Sequence, residues 1–272
     1  MPWTSKHLKW LVKTEGKLTT ADGKTIEIWE FRHEKDEAIL SAWAKHFRNH
    51  YCLDTEIDDL RNGTPCSRAE YLNQIKFPDD SHPPGPSIRA GDFGEVLIAD
   101  FLQYVLNFWV PRTHYGNKAV RNESTKGCDV IGFKFVGNGQ NPKNDMLTIW
   151  EAKTQFSGNK ANPRLQDAVN GSAKDFVRKA ESLNAIKQRL LDKLSRDEAR
   201  KVERFQNPED RPYRETYGAA ALFLTSLFEN RMLSSTDSSK HPDPNNLSLL
   251  VIHGETMMDL VHDLYRRAAS EA

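Results

Sequence analysis

The chain has 272 residues, and its 38 Lys and Arg balance 38 Asp and Glu, so the formal net charge is zero. That balance excludes a highly basic tail protein and an acidic disordered one. Thirteen Phe, six Trp and seven Tyr are enough for a real core, while a mean hydropathy of −0.68 implies a very polar surface. The length fits one or two domains. No uncharged apolar run is long enough to cross a membrane; the best candidate, Val96 to Val110, is interrupted by Asp100, Gln103 and Asn107. No apolar signal core follows Met1–His7, and Cys52, Cys66 and Cys128 are isolated, without CxxC spacing. The expectation is a soluble, reduced, cytoplasmic protein with no membrane partner, no disulfide framework and no structural zinc.

In chain order, Thr25–Phe31 alternates apolar and polar residues as a strand does, after a turn at Ala21–Lys24. Glu37–His50 carries Ile39, Leu40, Trp43 and Phe47 at helical spacing, and a further helix is predicted near Ser67–Ile75. Pro78, Pro83, Pro84, Gly85 and Pro86 then suggest a boundary, dividing an N-terminal α+β lobe (1–86) from a second domain (87–272). The second domain opens on an amphipathic helix through Phe93, Val96, Leu97, Phe101, Tyr104 and Phe108, with Gly91-Asp92 at its expected N-cap. Cys128–Val136 and Met146–Lys153 read as an antiparallel hairpin around turn residues that include Gly137-Asn138-Gly139. A long helical region from Pro163 to about Phe205, strands at Gly218–Phe228 and Asn246–His253, and a helix over Gly254–Ala269 complete the order. Ser234–Ser239 reads as a surface loop. The fold class is α/β: a mixed central sheet with helices on both faces.

The residues that suggest chemistry are Glu95, Asp129, Glu151 and Lys153. Strand periodicity puts Glu151 and Lys153 on one face with Ala152 turned into the packing. Asp129 opens the neighbouring strand, and Glu95 lies on the preceding helix. Carboxylates with open positions suit Mg²⁺, a hard cation that keeps several waters. Such an ion polarises a phosphodiester and acidifies bound water, while a lysine beside it orients that water and stabilises developing charge. The acid-x-Lys tripeptide also occurs at Glu15-Gly16-Lys17 and Asp22-Gly23-Lys24, but those two sit in turns. The competing reading is an acid on a strand rim paired with its neighbouring lysine.

Gly94-Glu95-Val96-Leu97, Gly127-Cys128-Asp129-Val130-Ile131-Gly132 and Ile149-Trp150-Glu151-Ala152-Lys153 together resemble the PD-(D/E)xK nuclease superfamily, with Cys128 where that pattern has proline. Arg89–Glu95 with Trp150–Thr154 more narrowly resembles the HamA family, nuclease subunits of Hachiman anti-phage defence systems. The nuclease resemblance spans about Gly91 to His253. It implies a restriction-endonuclease-like core. Asp129, Glu151 and Glu95 would be metal ligands with the Ala152 carbonyl, Lys153 would position the attacking water, and Mg²⁺ would be the cofactor, with Mn²⁺ able to substitute. It also implies DNA as substrate and a HamB-like superfamily 2 helicase as partner and restraint.

Positive charge is the remaining signal. Arg164–Arg204 holds 11 basic and seven acidic residues, which fits either a nucleic-acid track or a solvated helix with pairs such as Asp175–Lys179 and Asp192–Arg196. Arg112, His114, Lys118, Arg121 and Lys126 precede Asp129, and Arg112, Lys118, Arg121, Lys126 and Gln155 are the candidate nucleic-acid contacts. Glu255, Asp259, His262 and Asp263 share a helix face that reads as solvated surface. A neutral protein binds duplex DNA weakly unless its charges are segregated, which favours delivery or restraint by a partner. Trp3, Trp10, Trp29 and Trp43 could form that interface or simply fill a small core. The alternative function is a catalytically inactive module that docks DNA or regulates a helicase. A site-specific restriction enzyme would need a base-reading surface that the sequence does not locate.

Overall fold

The computed structural model describes residues 3–136 and 142–272. After a 3₁₀ turn over Lys6–Trp10 come β1 (Leu11–Lys13), β2 (Leu18–Thr19), β3 (Thr25–Phe31), α1 (Glu37–Tyr51), α2 (Ile57–Arg61) and α3 (Arg68–Tyr71). Then follow α4 (Gly85–Asp100), β4 (Val130–Lys134), β5 (Met146–Gln155), α5 (Arg164–Asp192), α6 (Arg196–Glu203), β6 (Arg214–Leu224), α7 (Asn230–Ser234), β7 (Leu247–Gly254) and α8 (Met257–Ser270). Asp36 caps α1 by accepting the Ile39 N–H, and Ser67 and Glu70 form a reciprocal capping box on α3.

One seven-stranded mixed sheet runs β1-β3-β7-β6-β5-β4, with β2 on the same edge of β3 as β1, at the strand's start. Its centre, β3, β7, β6 and β5, is parallel, whereas β4 pairs antiparallel with β5 from Val130↔Trp150 to Lys134↔Met146. Parallel strands covered on both faces need continuous apolar runs, and Ala219-Ala220-Ala221-Leu222-Phe223 and Leu249–Ile252 supply them. One face carries a core with α1, α4 and α8 (Trp43, Phe47, Phe93, Leu97, Tyr265); the other packs α5 and α6 (Leu165, Ala168, Leu183, Val202, Phe205). The helix-flanked α/β architecture is thus as the hydropathy pattern implied.

Several details differ. The boundary expected at residue 86 is not marked by separate sheets, since β1–β3 from before it share the sheet with β4–β7 from after it. Pro86 lies in the first turn of α4, where a missing N–H costs nothing, so the helix begins at Gly85 and Gly91 and Asp92 sit inside it rather than at its cap. The long helical region is two helices, parted at Leu194, whose φ is +57°. The Ser234–Ser239 loop is anchored rather than loosely exposed: Thr236 and Ser238 are buried, and Ser238 Oγ donates to Asp22 at 2.6 Å. Trp10 and Trp43 are core residues. The turn expected over Gly137-Asn138-Gly139 lies outside the described residues.

Gly218 of β6 has no room for a side chain, because a Cβ there would overlap the Trp150 ring. Gly218→Ala is therefore expected to lower stability by about 1–3 kcal/mol through overpacking, measurable by urea denaturation.

Candidate active site

β5 outruns its partner. The β4 ladder stops at Val130↔Trp150, leaving Glu151–Gln155 as an open edge. Asp129, one residue before β4, covers the start of that edge: its Oδ2 accepts the Ala152 N–H at 3.0 Å. A strand residue turns its N–H and C=O to the same side, so the Ala152 carbonyl also faces the Asp129 side. The pleat sends Trp150 and Ala152 to the α4 face, with Leu147, Ile149 and therefore Glu151 on the α5 face. Glu151 is 6% exposed and forms an ion pair with Lys153.

Glu95 reaches the same edge from α4. Tyr115 donates its hydroxyl hydrogen bond to Glu95, and His114 Nε2 lies 3.9 Å from the same carboxylate. Glu95, His114, Tyr115, Cys128 and Asp129 help line a cavity of about 40 Å³, large enough for a water-sized guest. Close packing on this side has a visible cause in Gly94, where a Cβ would overlap Thr154 of β5.

Electrostatics ties these groups together. Burial pushes Glu95 well above the ordinary glutamate range, and the Asp129 and Asp92 charges push it further. Burial likewise raises Asp129, with Glu151 the main repelling charge. Burial works against the Lys153 charge, yet Asp129 and Glu151 outweigh it and leave the ammonium more basic than usual. Desolvation holds His114 neutral, its pKa pushed down to about 3, with Arg189 and Lys118 adding to the effect.

Asp175 of α5 is a member of this group that sequence reasoning missed. It is fully buried, and desolvation followed by the Glu151 charge raises it to about 7. The expected Asp175–Lys179 pair does not form; Lys179 instead contacts Glu215 at 2.6 Å. Asp192 and Arg196 fall on different helices. The available signal was phase: Asp175 shares the buried stripe of Leu165, Ala168, Gly171 and Ser172, where an acid is out of place.

The candidate nucleic-acid contacts are mostly engaged elsewhere. Arg112, 5% exposed, reaches Asp100 at 2.6 Å and His50 at 2.7 Å. Lys118 is paired with buried Asp92 at 2.8 Å, and Arg121 holds Asp79 at 3.0 Å and the Asn73 carbonyl at 2.7 Å. Gln155 braces the following loop through the Lys160 carbonyl and the Asn162 N–H, both at 2.8 Å. Lys126 is the exposed member of the set.

Among the described residues, the His, Cys, Asp and Glu groups whose ligand atoms lie within 4.8 Å of one another comprise one trio, His46, His50 and Asp100. Glu95, Asp129 and Glu151 are spaced more widely than that. The trio is nonetheless poorly suited to a metal. The Thr4 N–H donates to His46 Nδ1 at 3.0 Å, so the proton of a neutral ring sits on Nε2, which faces Asp100 at 3.0 Å and has no lone pair to offer. Arg112 is the cation of that cluster. Burial opposes the Asp100 charge, but His46 and Arg112 outweigh it and hold the carboxyl well below its usual range.

The fold and site define a mixed α/β protein with a half-buried carboxylate–lysine centre at a sheet edge. The chain belongs to the HamA family, whose family model matches residues 6–268. Comparison with curated proteins and with solved structures found no match. No helix among the described residues is long and apolar enough to cross a membrane.

Two outcomes follow. Arg112→Ala strands the Asp100 charge in the interior and is expected to cost roughly 3–5 kcal/mol of stability, read by urea denaturation. With chelator present, Asp175 binds its proton more tightly folded (about 7) than unfolded (3.8), and Glu95 and Asp129 shift the same way. The folded state then holds more protons between those values, so this cluster's contribution is full below about pH 4 and declines as pH rises through 7. Buried histidines such as His114 act in the opposite sense, so the comparison is with Asp175→Asn: in chelator its Tm relative to wild type should rise over that interval, and a pH-independent difference would contradict the assignment.

Proposed function

We propose that the protein is a metal-dependent DNA nuclease, the effector of a Hachiman-type antiviral defence complex in which a helicase partner restrains or delivers it. The supporting observation is the set of desolvated, mutually repelling carboxylates, Glu95, Asp129 and Glu151, gathered at one open strand edge beside the ammonium of Lys153. Glu151 Oε2 is buried without a hydrogen-bond partner, which fits a cation better than a finished ion-pair network. Mg²⁺, or Mn²⁺ in its place, would be held by Glu95, Asp129, Glu151 and the Ala152 carbonyl, and would supply Lewis-acid polarisation of the phosphodiester and an acidified water. Lys153 orients that water and offsets charge growing on the phosphoryl oxygens. Tyr115 fixes the Glu95 rotamer by its hydrogen bond. Delivery by a partner agrees with the chain's zero net charge and with Arg112, Lys118 and Arg121 being occupied internally.

A second reading, a non-catalytic docking or helicase-regulating module, is favoured by one observation: the three carboxylates do not close to ligand spacing, while Lys153 is paired to Glu151. Plasmid cleavage separates the two. Purified protein should nick or cut plasmid with Mg²⁺ or Mn²⁺ and not with chelator, and Asp129→Asn and Lys153→Ala should each lower the rate at least about 100-fold, the scale of removing one group that stabilises transition-state charge. Undiminished cleavage by either variant would refute the site, and metal-independent binding without cleavage would favour the module.

A further inference from the structure

The α5 side of the site holds a carboxylate for which the chemistry so far has no use. Asp175 is wholly buried, and neither of its oxygens enters a hydrogen bond of ordinary geometry; the Cys128 thiol, a weak donor, is its polar neighbour. Glu151 is also more than nine-tenths buried, with Oε2 unpartnered. Helix α5 makes space for these two acids together. A Cβ at Gly171 would overlap the Glu151 carboxylate, so that carboxylate rests directly on the α5 backbone. Asp175 lies four residues further on, one turn along the same helix face. Its sequence neighbour Lys179 is drawn away to Glu215, and Lys153 is the ammonium paired with Glu151. When Glu95, Asp129, Glu151 and Asp175 are all ionised, Lys153 and Arg178 are the cations set against Asp175 and its neighbours, and they leave an excess of negative charge that a divalent ion would offset. Two buried acids with bare oxygens, placed side by side by a helix that omits a side chain to admit one of them, are costly unless a cation joins them.

We infer that Asp175 is a further metal-ligating residue, which with Glu151 holds a divalent cation from the α5 side of the sheet edge. The inference rests on the metal-dependent reading above, and Asp175 extends the ligand set from the strand edge onto the helix.

The test is Mn²⁺ titration of the full chain without nucleic acid, followed by calorimetry and Mn²⁺ electron paramagnetic resonance, with thermal melts in chelator and in Mn²⁺. Asp175→Asn should weaken Mn²⁺ binding at least about tenfold, raise the metal-free Tm by relieving the unpaired charge, and lose most of the Mn²⁺-induced rise in Tm. Wild-type Mn²⁺ affinity in Asp175→Asn would overturn the inference. So would a lower metal-free Tm with the Mn²⁺-induced rise retained, the behaviour of a purely structural acid. If neither Asp175→Asn nor Asp175→Ser folds, Asp175 is a structural anchor and the inference also fails. Asp129→Asn serves as the control. Loss of Mn²⁺ binding there but not in Asp175→Asn removes only the role of Asp175, whereas wild-type binding in both removes the metal-dependent reading itself.

Discussion

The carboxylate of Asp129 stands in for a missing strand. Where β4 stops, its Oδ2 accepts the Ala152 N–H and continues the hydrogen-bond ladder by one position. An exposed strand edge with unpaired amides invites adventitious pairing; here a carboxyl side chain occupies the edge, and the rest of the site follows. The bond fixes Asp129 beside Glu151, turns the Ala152 carbonyl towards the same opening, and puts Lys153 one pleat repeat beyond Glu151 on the α5 face. Glu95 then needs only to descend from α4, which Gly94 permits by lying against Thr154.

The protein buries two ionic clusters and treats them in opposite ways. Around Asp100, a guanidinium and two imidazoles meet one carboxylate, and the acid is held in its charged form. Around Glu151, several carboxylates meet one ammonium, and burial with mutual repulsion drives Glu95, Asp129 and Asp175 towards their neutral forms. The first cluster offsets its carboxylate with the Arg112 guanidinium, although Asp100 Oδ2 and the His7 ring nitrogens make no hydrogen bond of ordinary geometry, and it ties the segment before α1 to α4 and to the loop carrying Arg112. The second sets the single ammonium of Lys153 against Asp129, Glu151 and Glu95, and on the proposed function a cation would complete it. By spacing alone His46, His50 and Asp100 are the closer group; hydrogen-bond polarity, set by the Thr4 N–H on His46, argues against a metal there.

Much of the sheet was legible because parallel, doubly covered strands announce themselves as short apolar runs, and the β4–β5 hairpin because two such runs flank a stretch rich in Gly and Asn. Glu151 and Lys153 were legible because period two assigns them a common face without knowledge of the fold. Asp175 was passed over because Lys179, four residues on, offered it an obvious partner; the phase of the buried stripe argued against that pairing, and Glu151 of β5 is what it faces instead. The basic residues before Asp129 were misleading for a related reason. Arg112 and Lys118 look like solvent-facing cations in sequence, but each is the internal partner of a buried aspartate remote in the chain, Asp100 or Asp92. The proline-rich run looked like a boundary because prolines that open a helix resemble prolines that end a domain.

The pairing of β3 with β7 joins strands that lie nearly the whole chain apart, Ile26 against Leu249 through Phe31 against Gly254. During synthesis on the ribosome, β3 emerges well before β7, with β4, β5 and β6 completed in between. The hairpin and α5 can therefore assemble while the apolar face of β3 still lacks its neighbour, and closure waits on late-made residues. Such distant pairing is slow and leaves a sticky strand uncovered meanwhile, so the nascent polypeptide is exposed to aggregation until β7 is made.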